Sequence, residues 1–135
     1  TIYNCEGNPD PTEASAQAKI RASNTARNLI VNVNQNTRNG ASTSTFRQNN
    51  TNTSLTLSVA ASTTGIIEDL ANSVTLSDAD TVDIAFTSGG STGTINLFQG
   101  YEQAQPVPPL PPGLGPSFAE QMERLSSAAT ILYSY

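Results

Sequence analysis

Apolar residues spaced by two, in runs that restart after polar turns, occupy the middle of this chain. Leu29, Val31 and Val33 form one run, Leu55, Leu57 and Val59 a second, Val82, Ile84 and Phe86 a third, and Ile95 and Leu97 a fourth. A period of two places alternate side chains on one face of a pleated strand, so each run buries one face and wets the other. Ala18, Ile20 and Ala22, alternating with Lys19 and Arg21, repeat the pattern upstream, and Val74 and Leu76 repeat it in the middle. Ile66 to Leu70 fits either a short strand or a turn. Between the runs stand turn residues. Arg38-Asn39-Gly40-Ala41 carries the Asn-Gly pair that favours positive φ at both central positions, and is expected to join its strand to Ser42–Gln48 as a hairpin-like connection. Asn49-Asn50-Thr51-Asn52, Ser77-Asp78-Ala79-Asp80 and Ser88-Gly89-Gly90-Ser91 are the other turns. Seven or eight short strands at intervals of roughly ten residues are the pattern of an all-β, antiparallel β-sandwich or jelly-roll-like domain.

The composition changes on either side of this body. Residues 1–16 hold Gly7, Pro9 and Pro11 with few apolar residues and read as an extended N-terminal arm with a turn near Thr12 to Ala16; residues 17–100 are the sandwich. Residues 101–135 read as a Pro-rich C-terminal arm. Six of the eight prolines fall between 104 and 116, where missing backbone donors forbid a sheet and favour extended polyproline II. Ser117 and Glu120 have the spacing of a capping box, and Phe118, Met122 and Leu125 recur at i, i+4 and i+7, so a short helix is expected there. The arm then ends in Ile131, Leu132, Tyr133 and Tyr135, more apolar than a free tail requires. The candidate partner-binding residues are therefore Pro106, Val107, Pro108, Pro109, Leu110, Pro111, Pro112, Phe118, Met122, Leu125, Ile131, Leu132, Tyr133 and Tyr135. PxxP spacing occurs at Pro108 to Pro111 and Pro109 to Pro112, but no Arg flanks it between Arg47 and Arg124, which favours a structural strap over a signalling ligand.

Few catalytic chemistries fit. The sequence contains no His and no Trp and only one cysteine, Cys5. A histidine triad, a Cys-His dyad, a His/Cys zinc site and an internal disulfide cannot be assembled from these residues. Asp78-x-Asp80-x-x-Asp83 fails the EF-hand pattern at the positions of its glycine and its glutamate, and reads as turn aspartates before a strand. Glu68 and Asp69 are adjacent, so on a strand they face opposite ways and make no acid/base couple. The expectation is a protein that is not an enzyme and uses no cofactor or metal. The 17 Thr, 15 Ser and 13 Asn supply a third of the 135 residues, a polar and sparsely charged surface of the kind found on extracellular and virion proteins. The net charge is −5, divided as +2 over residues 1–47 and −7 thereafter. An acidic chain argues against nucleic acid as a partner, and the lack of a long apolar run or leader pattern argues against a membrane. Thr1 is small enough to follow a removed initiator Met, which sets the expectation of a nearly complete chain.

Several stretches resemble one family. Thr12-Glu13-Ala14-Ser15-Ala16-Gln17, Ala26-Arg27-Asn28-Leu29-Ile30-Val31, Ser54-Leu55-Thr56-Leu57-Ser58-Val59, Thr63-Thr64-Gly65, Asn72-Ser73-Val74-Thr75-Leu76 and Asp80-Thr81-Val82-Asp83-Ile84 look like a β-sandwich module of tailed-phage virion proteins. Gln48-Asn49-Asn50 departs from that module's basic-Asn-Gly hairpin tip, and Ala79-Asp80 from its Gly-Asp. The resemblance spans residues 12–98 and implies a jelly-roll-like domain in a capsid decoration (cement) protein or fibre, often trimeric. It would sit on the capsid surface of the virion, with the major capsid protein and further copies of itself as partners. A receptor- or carbohydrate-binding module of a phage fibre is the alternative. That reading needs an exposed aromatic platform, for which the body offers only Phe46, Phe86, Phe98 and Tyr101, and of these Phe86 falls on the apolar face of its strand.

Overall fold

The computed structural model describes residues 1–5, 8–108 and 128–134. Two antiparallel sheets make a β-sandwich. Sheet A runs in the order β2 (Asn8–Asp10), β1 (Ile2–Cys5), β8 (Thr81–Thr87), β5 (Ser42–Gln48), β6 (Thr51–Val59), with β3 (Ala18–Lys19) also pairing with β8. Sheet B runs β10 (Ala128–Ser134), β9 (Ile95–Ala104), β4 (Asn24–Asn36), β7 (Gly65–Leu76). Inward residues of both sheets share one core, in which Leu29, Val31, Phe46, Leu55, Val59, Leu76, Val82, Ile84, Leu97 and Tyr101 are buried. The expected alternation is this core: Val82, Ile84 and Phe86 point in from β8, and Leu55, Leu57 and Val59 from β6. Ser44 Oγ also donates across the sheets to Gln99 Oε1 at 3.0 Å, a buried polar contact that ties β5 to β9.

Local backbone chemistry explains several joints. Asn28, at φ 48°, sits in a bulge where the register of β4 shifts against both neighbours. The extra residue switches the inward set from Asn24 and Ala26 to Leu29, Val31 and Val33. The β5–β6 hairpin turns on Asn49 and Asn50, both at positive φ, the arrangement a two-residue turn requires. Gly65 opens β7 at φ +105°, which a side chain would rarely adopt.

The structure corrects the sequence reading at several points. The Asn39-Gly40 turn is not a hairpin: β4 lies in sheet B and β5 in sheet A, so the turn crosses between sheets, and neither residue has positive φ. The 88–93 loop also crosses, from β8 to β9. Arg38 fixes it, donating to the carbonyls of Gly89, Gly90 and Gly93 at 2.9, 3.0 and 2.6 Å, while Asn39 Oδ1 accepts from the amides of Ser91 and Thr92. The strand expected from Ala18 to Ala22 stops at Lys19; Ile20 is buried, but Ala22 is exposed. Ile66 to Leu70 is strand. The N-terminal segment is extended as expected, yet it lies on sheet A rather than reaching away, because β1 pairs with β8 and β2 with β1. The turn near Thr12 is a single 3-10 turn at Glu13–Ser15.

At the other end β9 continues through Gly100 to Ala104, carrying Tyr101 into the core, where its ring centroid is 4.7 Å from that of Phe46. The sandwich therefore outlasts residue 100. The helix expected over Ser117 to Leu125 falls outside the described residues. The apolar end of the chain is strand β10, antiparallel to β9 from Ala128↔Ala104 to Ser134↔Phe98.

Candidate interaction surface

The outward residues of sheet B make a surface unlike the rest of the molecule. Cross-strand register sets Ile66, Asn32 and Phe98 in one row across β7, β4 and β9, and Glu68, Ile30 and Gly100 in the next. Ile66 is 67% exposed, Phe98 45% and, further along β7, Leu70 is 76%. Ile30 is half-buried between them. Large apolar side chains in neighbouring rows on one sheet face make a patch, and such patches commonly mark contacts with other molecules. The third row is charged. Arg27 Nη2 donates to Glu102 Oε1 at 2.7 Å, and the hydrogen bond with the carboxylate raises the guanidinium's already high pKa.

This surface ends in the edge strand β7, 12 residues long, which among the described residues pairs on one side only. Long edge strands invite pairing unless they are interrupted or charged. Here the interruption is Asp69, which is buried and points inward. It accepts from the amides of Ala71 and Asn72, both at 3.1 Å, from the Asn72 side chain, and from the amide of Thr56 on β6 at 3.3 Å. Burial acts to raise the pKa of this carboxyl, but the donors from Asn72, Ala71 and Thr56 outweigh it and hold the value below the ordinary one. Asp69 thus stitches the edges of the two sheets together, while Glu68 beside it faces outward near Asn28. The adjacent pair divides between two faces, as expected.

Of the residues singled out in the C-terminal arm, Pro106, Val107 and Pro108 are exposed and outside regular structure just after β9, with Val107 48% exposed. Ile131, Leu132 and Tyr133 lie in β10, opposite Tyr101, Gly100 and Gln99. Pro109, Leu110, Pro111, Pro112, Phe118, Met122, Leu125 and Tyr135 lie outside the described residues. The sheet B patch was not singled out from sequence. Its signal was present in Ile66, Leu70 and Phe98, apolar residues out of phase with the inward set of their own strands, but only the partner strands reveal that they share a face.

The aromatic platform is largely absent from the surface. Phe46, Phe86 and Tyr101 are 0%, 1% and 1% exposed, leaving Phe98 as the outward member of that set. Asp80, in the turn after β7, has a structural place. Asp80 Oδ2 accepts from the Ser77 amide at 2.7 Å and from Gln48 Nε2 at 2.6 Å, and Oδ1 from Asn49 Nδ2 at 2.8 Å. These contacts, that from Asn49 foremost, hold its pKa below the ordinary value. Asp83 is buried on β8, apart from that turn. Among the described residues no group of three or more His, Cys, Asp or Glu side chains is placed to hold a metal ion, and no helix is long and apolar enough to cross a membrane. Comparison with family models, with curated proteins and with solved structures finds no match to this chain.

Proposed function

We propose that this chain is a non-enzymatic virion structural protein, a capsid decoration protein that forms trimers and grips the major capsid protein at the capsid surface. The observation that carries the reading is the apolar outer face of sheet B, Ile66, Leu70, Ile30 and Phe98, ending in the edge strand β7. A face of this kind suits a subunit contact, and on a repetitive lattice weak single contacts add up to firm attachment. The resemblance to tailed-phage virion modules supports the same reading, and its residues occupy joints of the sandwich: Asn28 in the β4 bulge, Gly65 at the start of β7, Asp80 in the turn before β8. The Pro-rich segment after β9 extends the gripping surface, with Val107 exposed at its start.

The glycan-binding alternative loses most of its platform with the burial of Phe46, Phe86 and Tyr101. Co-sedimentation with purified tailed-phage capsids, run beside a panel of immobilised glycans, separates the two. Capsid binding that weakens at least about tenfold in Ile66→Asp/Leu70→Asp, with no glycan retained, is the expected result. Glycan binding abolished by Phe98→Ala, without capsid binding, would overturn it.

A further inference from the structure

On the outer face of sheet A one guanidinium serves two carboxylates. Arg47 on β5 donates from Nε to Glu13 Oε1 at 2.7 Å and from Nη2 to Oε2 at 3.1 Å, and its Nη groups also donate to the Asn50 carbonyl and to Asn52 Oδ1. Asp83 stands opposite Arg47 in the β5–β8 register and is 1% exposed. Its Oδ1 is 3.9 Å from the same Nε, a donor already committed to Glu13, and accepts no hydrogen bond among the described residues. Its Oδ2 accepts from Gln17 Nε2 at 3.4 Å. The other titratable groups nearby do not complete the set. Tyr3 on β1 lays its ring 5.7 Å from Arg47 Cζ, Lys19 on β3 pairs with Thr81 and is exposed, and Asp10 at the end of β2 accepts from the Thr12 amide. Two carboxylates thus share one cation. A buried carboxylate so poorly supplied with donors is unfavourable when charged, and one proton relieves it.

Glu13 and Gln17 belong to the N-terminal segment, so the same contacts fasten that segment to the sheet. We propose that Glu13, Arg47 and Asp83 form an acid-tightened clasp: a solvent proton taken up by Asp83 locks the described N-terminal residues, 1–5 and 8–17, onto sheet A, and its release loosens them. Protonated Asp83 donates to Glu13, which then bridges Asp83 and Arg47. Burial pushes the Asp83 carboxyl up to about 6, with the charge of Glu13 adding to the effect and Gln17 and Arg47 opposing it. The folded chain therefore holds this proton more tightly than the unfolded chain. The stabilisation is full below the ordinary carboxylate range and is lost as the pH rises through about 6.

Amide hydrogen exchange of the full chain, corrected for intrinsic rates and followed by mass spectrometry from pH 4.5 to pH 8, reads the clasp directly. Protection of the peptides covering residues 1–17 is expected to fall at least about tenfold across this range, with a midpoint near 6. In Asp83→Asn, which stays neutral and can still donate, protection should not fall with pH. In Glu13→Gln, where Arg47 serves one carboxylate, the midpoint should move to lower pH. Carbon-13 titration of the Asp83 carboxyl in the unaltered chain supplies a readout that needs no variant. A midpoint in the ordinary carboxylate range, or an equal pH response in Asp83→Asn, would overturn the clasp.

Discussion

Asp69 and Asp83 are both buried carboxylates, and their surroundings give them opposite responses to acid. Asp69 has donors for both oxygens, so its charged form is favoured in the fold. Its contribution is present above the ordinary carboxylate pKa and lost as the pH falls through the lowered folded value. Asp69→Ala leaves the amides of Thr56, Ala71 and Asn72 without this acceptor and should destabilise by about 1–3 kcal/mol in urea unfolding at pH 7. The difference from the unaltered chain should shrink in acid. An equal difference at pH 7 and pH 3 would show that the packing around Asp69, rather than its charge, matters. Gly89 is governed by space instead. A Cβ there would stand 1.7 Å from the Ala41 carbonyl oxygen, so the two crossing loops must part to admit it. Gly89→Ala is expected to lower stability by about 2–4 kcal/mol, and thermal unfolding beside Ser88→Ala, which is exposed, checks it.

Tyr101 decides where the sandwich ends. It is 1% exposed and stacks at a tilt on Phe46, so Tyr101→Ala should cost about 3–5 kcal/mol, whereas Val107→Ala, in the exposed segment beyond β9, should cost under about 0.5 kcal/mol. Similar small losses for both would return residue 101 to the arm. The strands were legible in the sequence because alternation is written residue by residue: Leu55, Leu57 and Val59 are buried between exposed neighbours as their spacing requires, whereas β8 is buried on both faces, Asp83 and Ala85 included, because the N-terminal segment covers its outer side. Pairing was not legible. Asn39-Gly40 has the composition of a tight hairpin yet joins two sheets, because Arg38 and Asn39 bind the 88–93 loop, a contact about fifty residues away in sequence. Residues 1–16 offered no alternation and so read as an arm; Ile2, Tyr3 and Asn4 nevertheless pair with β8, which depends on hydrogen bonding rather than on side-chain pattern. The candidate surface was hidden for the same reason, since Ile66 and Phe98 become neighbours only through Asn32 on the strand between them.

At the scale of the molecule, the two sheets differ in how their outer faces are finished. Sheet A is roofed by residues 12–17 and the Arg47 cluster, which engages their polar groups. Sheet B presents Ile66, Leu70 and Phe98 to solvent and stops at the β7 edge, which Asp69 and the Gln48 side chain, donating to the Thr75 carbonyl, tie to sheet A. Asn32 between Ile66 and Phe98, Glu68 between Ile66 and Leu70, and the Arg27–Glu102 pair in the adjoining row are the polar groups that would set the register in which copies meet there. The most direct test is the solution mass by light scattering of the full chain and of Ile66→Asp/Leu70→Asp, both residues being exposed enough to change without disturbing the core. A mass three times that of the chain, falling to the single-chain mass in the variant, is the predicted result. A single-chain mass for both, or a trimer that the two aspartates leave intact, would contradict the claim that sheet B is where copies meet.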